Sequence, residues 1–258
     1  MKILTIGDII GKPGRDAVMK TLPLLRREQG IDFVIANGEN LAGGIGLTPG
    51  TAEDLLRSGV DVITSGNHIW AQKDIYPALD GSMPILRPLN YPPGVPGRGW
   101  LVKNGVAVVN LIGRTFFVAS YDDPFRGMDK ALVELPEEVK IIIVDFHAEA
   151  TSEKMALGRY LDGRVSAVFG THTHVGTIDV QVLPGGTAFV TDIGMTGPWN
   201  SVIGDDNNMV LQRFLTQISQ RLSVSSDKRV VLNAILVEVD ETTGRAFSVE
   251  RLQKMVEI

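Results

Sequence analysis

The chain has 258 residues, 44% of them hydrophobic and 21% charged, with 28 glycines beside 13 prolines, a composition that excludes disorder, collagen and coiled coil. A chain this long buries roughly 70–75% of the surface its unfolded form exposes, so it needs no metal merely to hold a core, and any metal serves chemistry. The formal charge of −5, with no long run of one sign, argues against a duplex-DNA partner, and zero cysteines leave only nitrogen and oxygen as metal ligands.

The opening segment MKILTIGDIIGKPG has an apolar run broken at Asp8 and no small-residue cleavage site, so it reads as a strand and not as a signal peptide. No stretch nears the roughly 18 apolar residues of a membrane span, which points to the cytoplasm and away from membranes. Short apolar runs ending in glycine or polar residues predict strands over Lys2–Ile6, Phe33–Ala36, Val60–Thr64, Gly105–Leu111, Lys140–Phe146 and Val165–Phe169. Helical patterns lie between them at Arg15–Glu28, Pro49–Arg57 (Thr48 as N-cap) and Glu153–Leu161. Beyond Val175 the pattern predicts a hairpin over Ile178–Leu183 and Thr187–Thr191, a helix near Asn208–Arg221, and a second hairpin over Val230–Asp240 and Arg245–Leu252. The expected fold class is α/β, a layered α/β/β/α sandwich of mixed sheets, with residues 1–258 as a single domain.

The four histidines carry the chemical information. His68, His147, His172 and His174 follow predicted strands in GNHIW, DFHAE and GTHTH, while Asp8 in TIGDIIG and Glu39-Asn40 in ANGEN end two others. Taken singly, Asp8 reads as well as a turn or cap, Glu39-Asn40 as a solvated turn, His68 as a helix cap and His147 as a satisfied core histidine. His172 and His174 are the stronger signal, since two imidazoles so close in a strand-end loop suit a metal, with a surface loop as the alternative. Five strand ends that use every histidine are a different matter, because ligands bind outside the carboxyl ends of parallel strands. Imidazole, carboxylate and carboxamide together form the ligand set of first-row metals such as Fe, Mn, Zn or Co. A carboxylate can bridge two ions, and two ions suit in-line displacement at phosphorus, so a dinuclear centre is expected.

The ordered set GDIIGKPGR, ANGENLAGG, TSGNHIW and GTHTHVGT resembles the calcineurin-like metallophosphoesterases, over nearly the whole chain. Asp8 matches the first aspartate of that pattern, but Ile10 takes the place of its histidine partner, Glu39 that of the bridging aspartate, Ile69 that of the acid after G-N-H, and Thr171 that of the first histidine of G-H-x-H. These departures resemble the YmdB-like bacterial subfamily, which hydrolyses cyclic nucleotides and related phosphodiesters at a di-iron centre. The resemblance implies that Asp8, Glu39, Asn40, Asn67, His147, His172 and His174 hold two metal ions, iron first with manganese or zinc as alternatives. The resemblance leaves Asn40 to fill part of the gap at Ile10. It also implies that His68 is catalytic.

Two divalent ions outweigh the two carboxylates, so an acidic protein can hold a positive cavity that draws in a small nucleotide phosphodiester and acidifies a bound water. Attack by metal-bound hydroxide on a 2′,3′-cyclic nucleotide then needs a proton for the departing sugar oxygen, and His68 is placed to supply it. The segment Gly113–Lys130 mixes Phe116, Phe117, Tyr121 and Phe125 with Arg114 and Arg126, which reads either as a nucleotide lid or as a surface excursion or subunit contact. Gly43, Gly44 and Gly46 read either as a phosphate-approaching loop or as a turn. A P-loop fails because three residues, not four, separate Gly7 from Gly11-Lys12 and Pro13 follows, and no G-x-S-x-G supports a serine hydrolase. A phosphomonoesterase of the same site, a metal-retaining nucleotide-binding regulator with little turnover, and a homo-oligomer all stay compatible with the sequence.

Overall fold

Strands buried on both faces read as continuous apolar runs, and their period of two divides each run between two cores. The computed structural model describes all of residues 1–258 and shows this division directly. In β1 (Lys2–Ile6) Leu4 and Ile6 face outward to helices, while Ile3 faces inward to a second sheet. Helix α1 (Gly11–Gln29) follows, starting a turn earlier than predicted because Pro13 is tolerated in a first turn. It stops at Gly30, whose φ of 62° is left-handed. Next come β2 (Phe33–Asn37), α2 (Pro49–Arg57) and β3 (Val62–Thr64), with β1, β2 and β3 parallel. Helix α2 has the predicted bounds, since the Thr48 and Thr51 side chains cap each other's backbone and Pro49 opens the first turn.

A 3-10 turn at Lys73–Ile75 and the short α3 (Tyr76–Leu79) lead to β4 (Trp100–Lys103), β5 (Val106–Ile112), α4 (Pro124–Glu134), β6 (Ile141–His147), α5 (Thr151–Tyr160) and β7 (Ala167–Thr171). The predicted first hairpin is β8 (Gln181–Val182) with β9 (Ala188–Val190), and β9 also pairs in parallel with β7. After β10 (Gly197–Pro198) and α6 (Asn207–Thr216), β11 (Arg229–Val239) and β12 (Ala246–Glu257) form the second hairpin. Helix α6 ends before the predicted Arg221 because Gln217 turns left-handed at φ 58°.

Each sheet has six strands. The first runs β10-β11-β1-β2-β3 with β12 on β11; the second runs β4-β5-β6-β7-β9-β8. One core lies between the sheets and joins Ile3, Phe33, Ile35, Val62 and Val237 to Val106, Val108, Ile143 and Phe169. The others lie under α1 and α2, with Val18, Leu22 and Leu55, and under α4 and α5, with Met128 and Leu157. Four layers, helix, sheet, sheet and helix, are the result expected from the sequence. Each large apolar side chain buried in them contributes about 1.5–3 kcal/mol. No helix is long and apolar enough to cross a membrane.

The same two-residue step positions the polar end of the molecule. Past Ile141 and Ile143 it places Asp145 and His147 on the inner face. Past Phe33 and Ile35 it places Asn37, past Val62 Thr64, and past Ala167 and Phe169 Thr171. All five are buried, so the apolar layer between the sheets turns polar toward the carboxyl ends of the strands.

Candidate active site

Buried Asp145 anchors that polar layer. Its carboxylate accepts from Asn37 (2.9 Å), Thr171 (2.7 Å) and Thr64. Burial still pushes the Asp145 carboxyl up to about 6, against the hydroxyl of Thr64 and the charge of His147. Because Thr171 gives its only proton to Asp145, it must accept at 3.0 Å from the Nδ1–H of His147. The relay fixes the His147 tautomer and turns the Nε2 lone pair outward. Gly66 is what admits the ring, since a Cβ there would meet His147 Nε2 at 2.3 Å.

Around His147 Nε2 stand His172 Nδ1 at 3.0 Å, Asn67 Oδ1 at 3.1 Å and Glu39 Oε1 at 3.5 Å. His172 Nε2 lies 2.9 Å from Glu149 and holds its proton there, so Nδ1 also presents a lone pair. Two ring nitrogens whose protons are committed elsewhere face one another, an arrangement only a proton or a metal ion can stabilise. The two rings respond in opposite directions, and only His147 is driven toward the charged form. Burial works to lower His147, but Glu39 and Asp8 outweigh it and raise the ring, while burial and the neighbouring His147 take His172 down to about 3.

A second group lies beside the first. His174 donates Nδ1–H to the Ile203 carbonyl (2.7 Å), leaving Nε2 at 4.0 Å from Asp8 Oδ1 and 3.2 Å from Asn40 Nδ2. Asp8 Oδ2 accepts from the His172 backbone (3.1 Å), but Oδ1 is buried without a hydrogen-bond partner, as is Glu39 Oε2. Burial raises the Asp8 carboxyl in spite of His174 and His147, whereas at Glu39 the imidazoles of His147 and His68 overcome burial and hold the carboxyl well below the usual range. No three imidazole and carboxylate groups alone surround one point. Convergence appears only when the carboxamides of Asn67 and Asn40 are counted with them. Orphaned carboxylate oxygens and facing lone pairs fit a pair of cations, one by Glu39, Asn67, His147 and His172, the other by Asp8, Asn40, Glu39 and His174.

His68 stands at the rim with its side chain about one-third exposed. Its backbone N–H donates to Glu39 (2.8 Å), and its Nδ1 lies 3.1 Å from both Glu39 Oε1 and Asn40 Oδ1. Nδ1 therefore carries a proton, and Nε2 is left free to serve the cavity of about 330 Å³ that His68, His172 and His174 line.

All eight residues singled out from the sequence thus meet in one place. The predicted strand ends were one residue short at His147 and two short at Thr171, so His147 belongs to β6 itself. Of the Gly113–Lys130 segment, only Phe117, 5.0 Å from the His172 ring, and Tyr121, packed on Phe117, reach the site. Phe125 packs on Tyr160, Arg114 pairs with Asp123, and the segment continues into α4 because Asp123 caps it and Pro124 opens it. Gly44 lines the cavity within a turn closed by Ala42 N–H and the Gly46 carbonyl.

Sequence reasoning missed the residues that aim the ligands. Glu149 sits in DFHAE, two residues from a histidine already singled out, which was the available signal. The pair Lys154–Asp192 offered none. It is fully buried at 2.6 Å, and Asp192 also accepts from the Thr173 backbone (3.2 Å) and hydroxyl (2.8 Å). That grip holds His172 at φ 102° and His174 at φ 65°, conformations that cost about 1–3 kcal/mol each outside glycine.

The family model described as YmdB-like protein matches residues 4–252. A 2′,3′-cyclic-nucleotide 2′-phosphodiesterase of Bacillus subtilis (strain 168) is 46% identical over 256 residues, spanning 98% of this chain and 96% of that protein. A crystal structure of a hypothetical protein from Thermus thermophilus superposes with a TM-score of 0.92 at 44% identity, over 99% of both chains. A novel phosphatase of Mycoplasma pneumoniae gives a TM-score of 0.92 at 33% identity, over 100% of this chain and 94% of that one. The fold is that of the metallophosphoesterases, and the chain is a hydrolase of phosphoric ester bonds. Within that class the chain belongs to the YmdB-like family.

Proposed function

We propose that the protein is a metal-dependent phosphodiesterase of the cytoplasm that opens 2′,3′-cyclic nucleoside monophosphates. The observation that carries this reading is the pair of imidazole nitrogens, His147 Nε2 and His172 Nδ1, facing each other at 3.0 Å beside Glu39 and Asn67. Asp8, Glu39, Asn40, Asn67, His147, His172 and His174 would hold two ions, iron first with manganese or zinc as alternatives. Bound there, the ions supply charge neutralisation at phosphorus and acidification of water.

The chain's own residues do the rest. Glu39 orients His68 through both its backbone and its Nδ1, so that Nε2 faces the cavity. From there His68 gives a proton to the departing sugar oxygen, help worth about 10² to 10⁴ in rate. The substrate preference, a diester over a monoester, is supported by the name of the Bacillus subtilis relative.

Metal-loaded protein is to be incubated with 2′,3′-cyclic nucleotides and with nucleoside monophosphates, with and without chelator. Chelator-sensitive turnover of the cyclic substrates supports the reading. Turnover of monoesters alone makes it a phosphomonoesterase, and stoichiometric binding without product makes it a regulator.

A further inference from the structure

Beside the histidine cavity lies a second, larger one of about 520 Å³, and its lining is of the opposite character. Five of its eight lining residues are hydrophobic, among them Val202, Val210, Phe214 and Leu222. Val210 and Phe214 are four residues apart on α6 and therefore share one face of that helix. Phe214 is 78% exposed, so its ring is a bare aromatic surface.

The two cavities are neighbours by construction. Ile203 and Asp205 line both. Ile203 is also the residue whose carbonyl accepts from His174 Nδ1, so the wall between the cavities is fastened to an imidazole of the site. Asp205 is the one carboxylate of the apolar cavity and stands where the two meet. Arg213 and Gln217 add polar groups at its edge. A mostly apolar space with a few placed polar groups, within the usual few-hundred-Å³ range of ligand pockets, is what a small organic group requires.

The segment around Phe117 is the competing place for a base. Its ring is already packed on His172 and Tyr121, and it does not line the histidine cavity.

We infer that the cavity beneath α6 is the nucleoside subsite: the base lies against Phe214, Val210 and Leu222, and the ribose passes Asp205 and Ile203 with its phosphate among the histidines. This rests on the phosphodiester reading above and extends it, making the protein an enzyme that selects nucleotides over base-free phosphodiesters. Asp205, as an acceptor only, suits a sugar hydroxyl or a base amino group, and stacking on one aromatic face tolerates any base. Purine and pyrimidine substrates are therefore both accepted.

The test compares kcat/KM for 2′,3′-cyclic AMP with that for the 2,3-cyclic phosphate of methyl ribofuranoside, which has no base. Wild-type protein is expected to favour the nucleotide, and Phe214→Ala to reduce that preference about tenfold, the size of one base–aromatic contact. Phe214→Trp is expected to restore it. The exposure of Phe214 keeps these variants folded. A preference near one in the wild type, a preference untouched by Phe214→Ala, or one lost instead in Phe117→Ala would overturn the assignment. If the wild type hydrolysed neither compound, the phosphodiesterase reading itself would fail. The subsite would then be judged by calorimetric binding of adenosine 3′-monophosphate, with weaker binding to Phe214→Ala supporting it and equal binding overturning it.

Discussion

Asp145 and the pair Asp8 and Glu39 are buried alike, at 1% exposure or less, yet the chain treats them in opposite ways. Asp145 receives three side-chain donors, and every one comes from a different strand. Asp8 Oδ1 and Glu39 Oε2 receive none, although leaving a buried acceptor unsatisfied costs about 1–3 kcal/mol and more when it is charged. The difference separates scaffold from chemistry. Where the protein needs a rigid base it closes the carboxylate with its own hydroxyls and amides, and where it needs a ligand it leaves the lone pairs open toward other donors.

The contrast can be broken from its open side first. Glu39→Gln and His147→Ala are expected to reduce both bound metal and turnover to background, measured by elemental analysis beside kinetics; retention of full metal content in either variant would remove that residue from the ligand set. His68→Ala should keep its metal and lose about 10² to 10⁴ of kcat on nucleoside cyclic phosphates. The loss should be smaller with a nitrophenolate leaving group, and equal losses on both substrates would end its role as proton donor. On the closed side, Lys154→Met leaves the buried Asp192 charge without its ion-pair partner. A loss of about 3–5 kcal/mol in urea unfolding is expected, whereas an unchanged midpoint would show that the pair does not hold the loop.

Smaller effects sharpen the comparison. Thr171→Val cuts the relay from Asp145 to His147 and should weaken metal affinity about 10- to 100-fold, read by competition with a chelating dye. Asp145 itself should show in the pH dependence of stability. Its folded carboxyl is pushed from 3.8 to about 6 by burial, so the folded state holds an extra proton across that window. The stability this contributes is fully present below the window and is lost as pH rises through it. Urea titrations at several pH values should therefore show wild type losing stability relative to Asp145→Asn between those limits, and parallel curves would contradict the shift.

Much of this was legible in the sequence, for identifiable reasons. Strands buried on both faces announce themselves as apolar runs, and Thr48 with Pro49 fixed the start of α2. The proposed ligands were visible because they follow those runs and because the chain has no other histidines. What stayed hidden depends on pairing across distance. That β11 lies beside β1 and that Asp145 reaches Thr171, Thr64 and Asn37 follows from sheet order, which no local pattern encodes. Lys154 looks like any helix lysine until α5 is packed over Asp192. The capped start of α4 at Asp123-Pro124 was readable, but the aromatic residues around it left the whole segment open between a lid and a surface excursion or subunit contact.

The pairing of β1 with β11, Lys2 opposite Glu238 and Ile6 opposite Ala234, has a bearing on how the molecule is made. Every proposed ligand has been synthesised once His174 is added, yet the strand that flanks β1 comes more than fifty residues later. At about 5–20 residues per second the unfinished chain waits seconds with the apolar edge of its first strand uncovered. A message cut short before residue 229 would therefore yield a polypeptide with all the proposed ligands and an open sheet, and the cell would have to shield or degrade it.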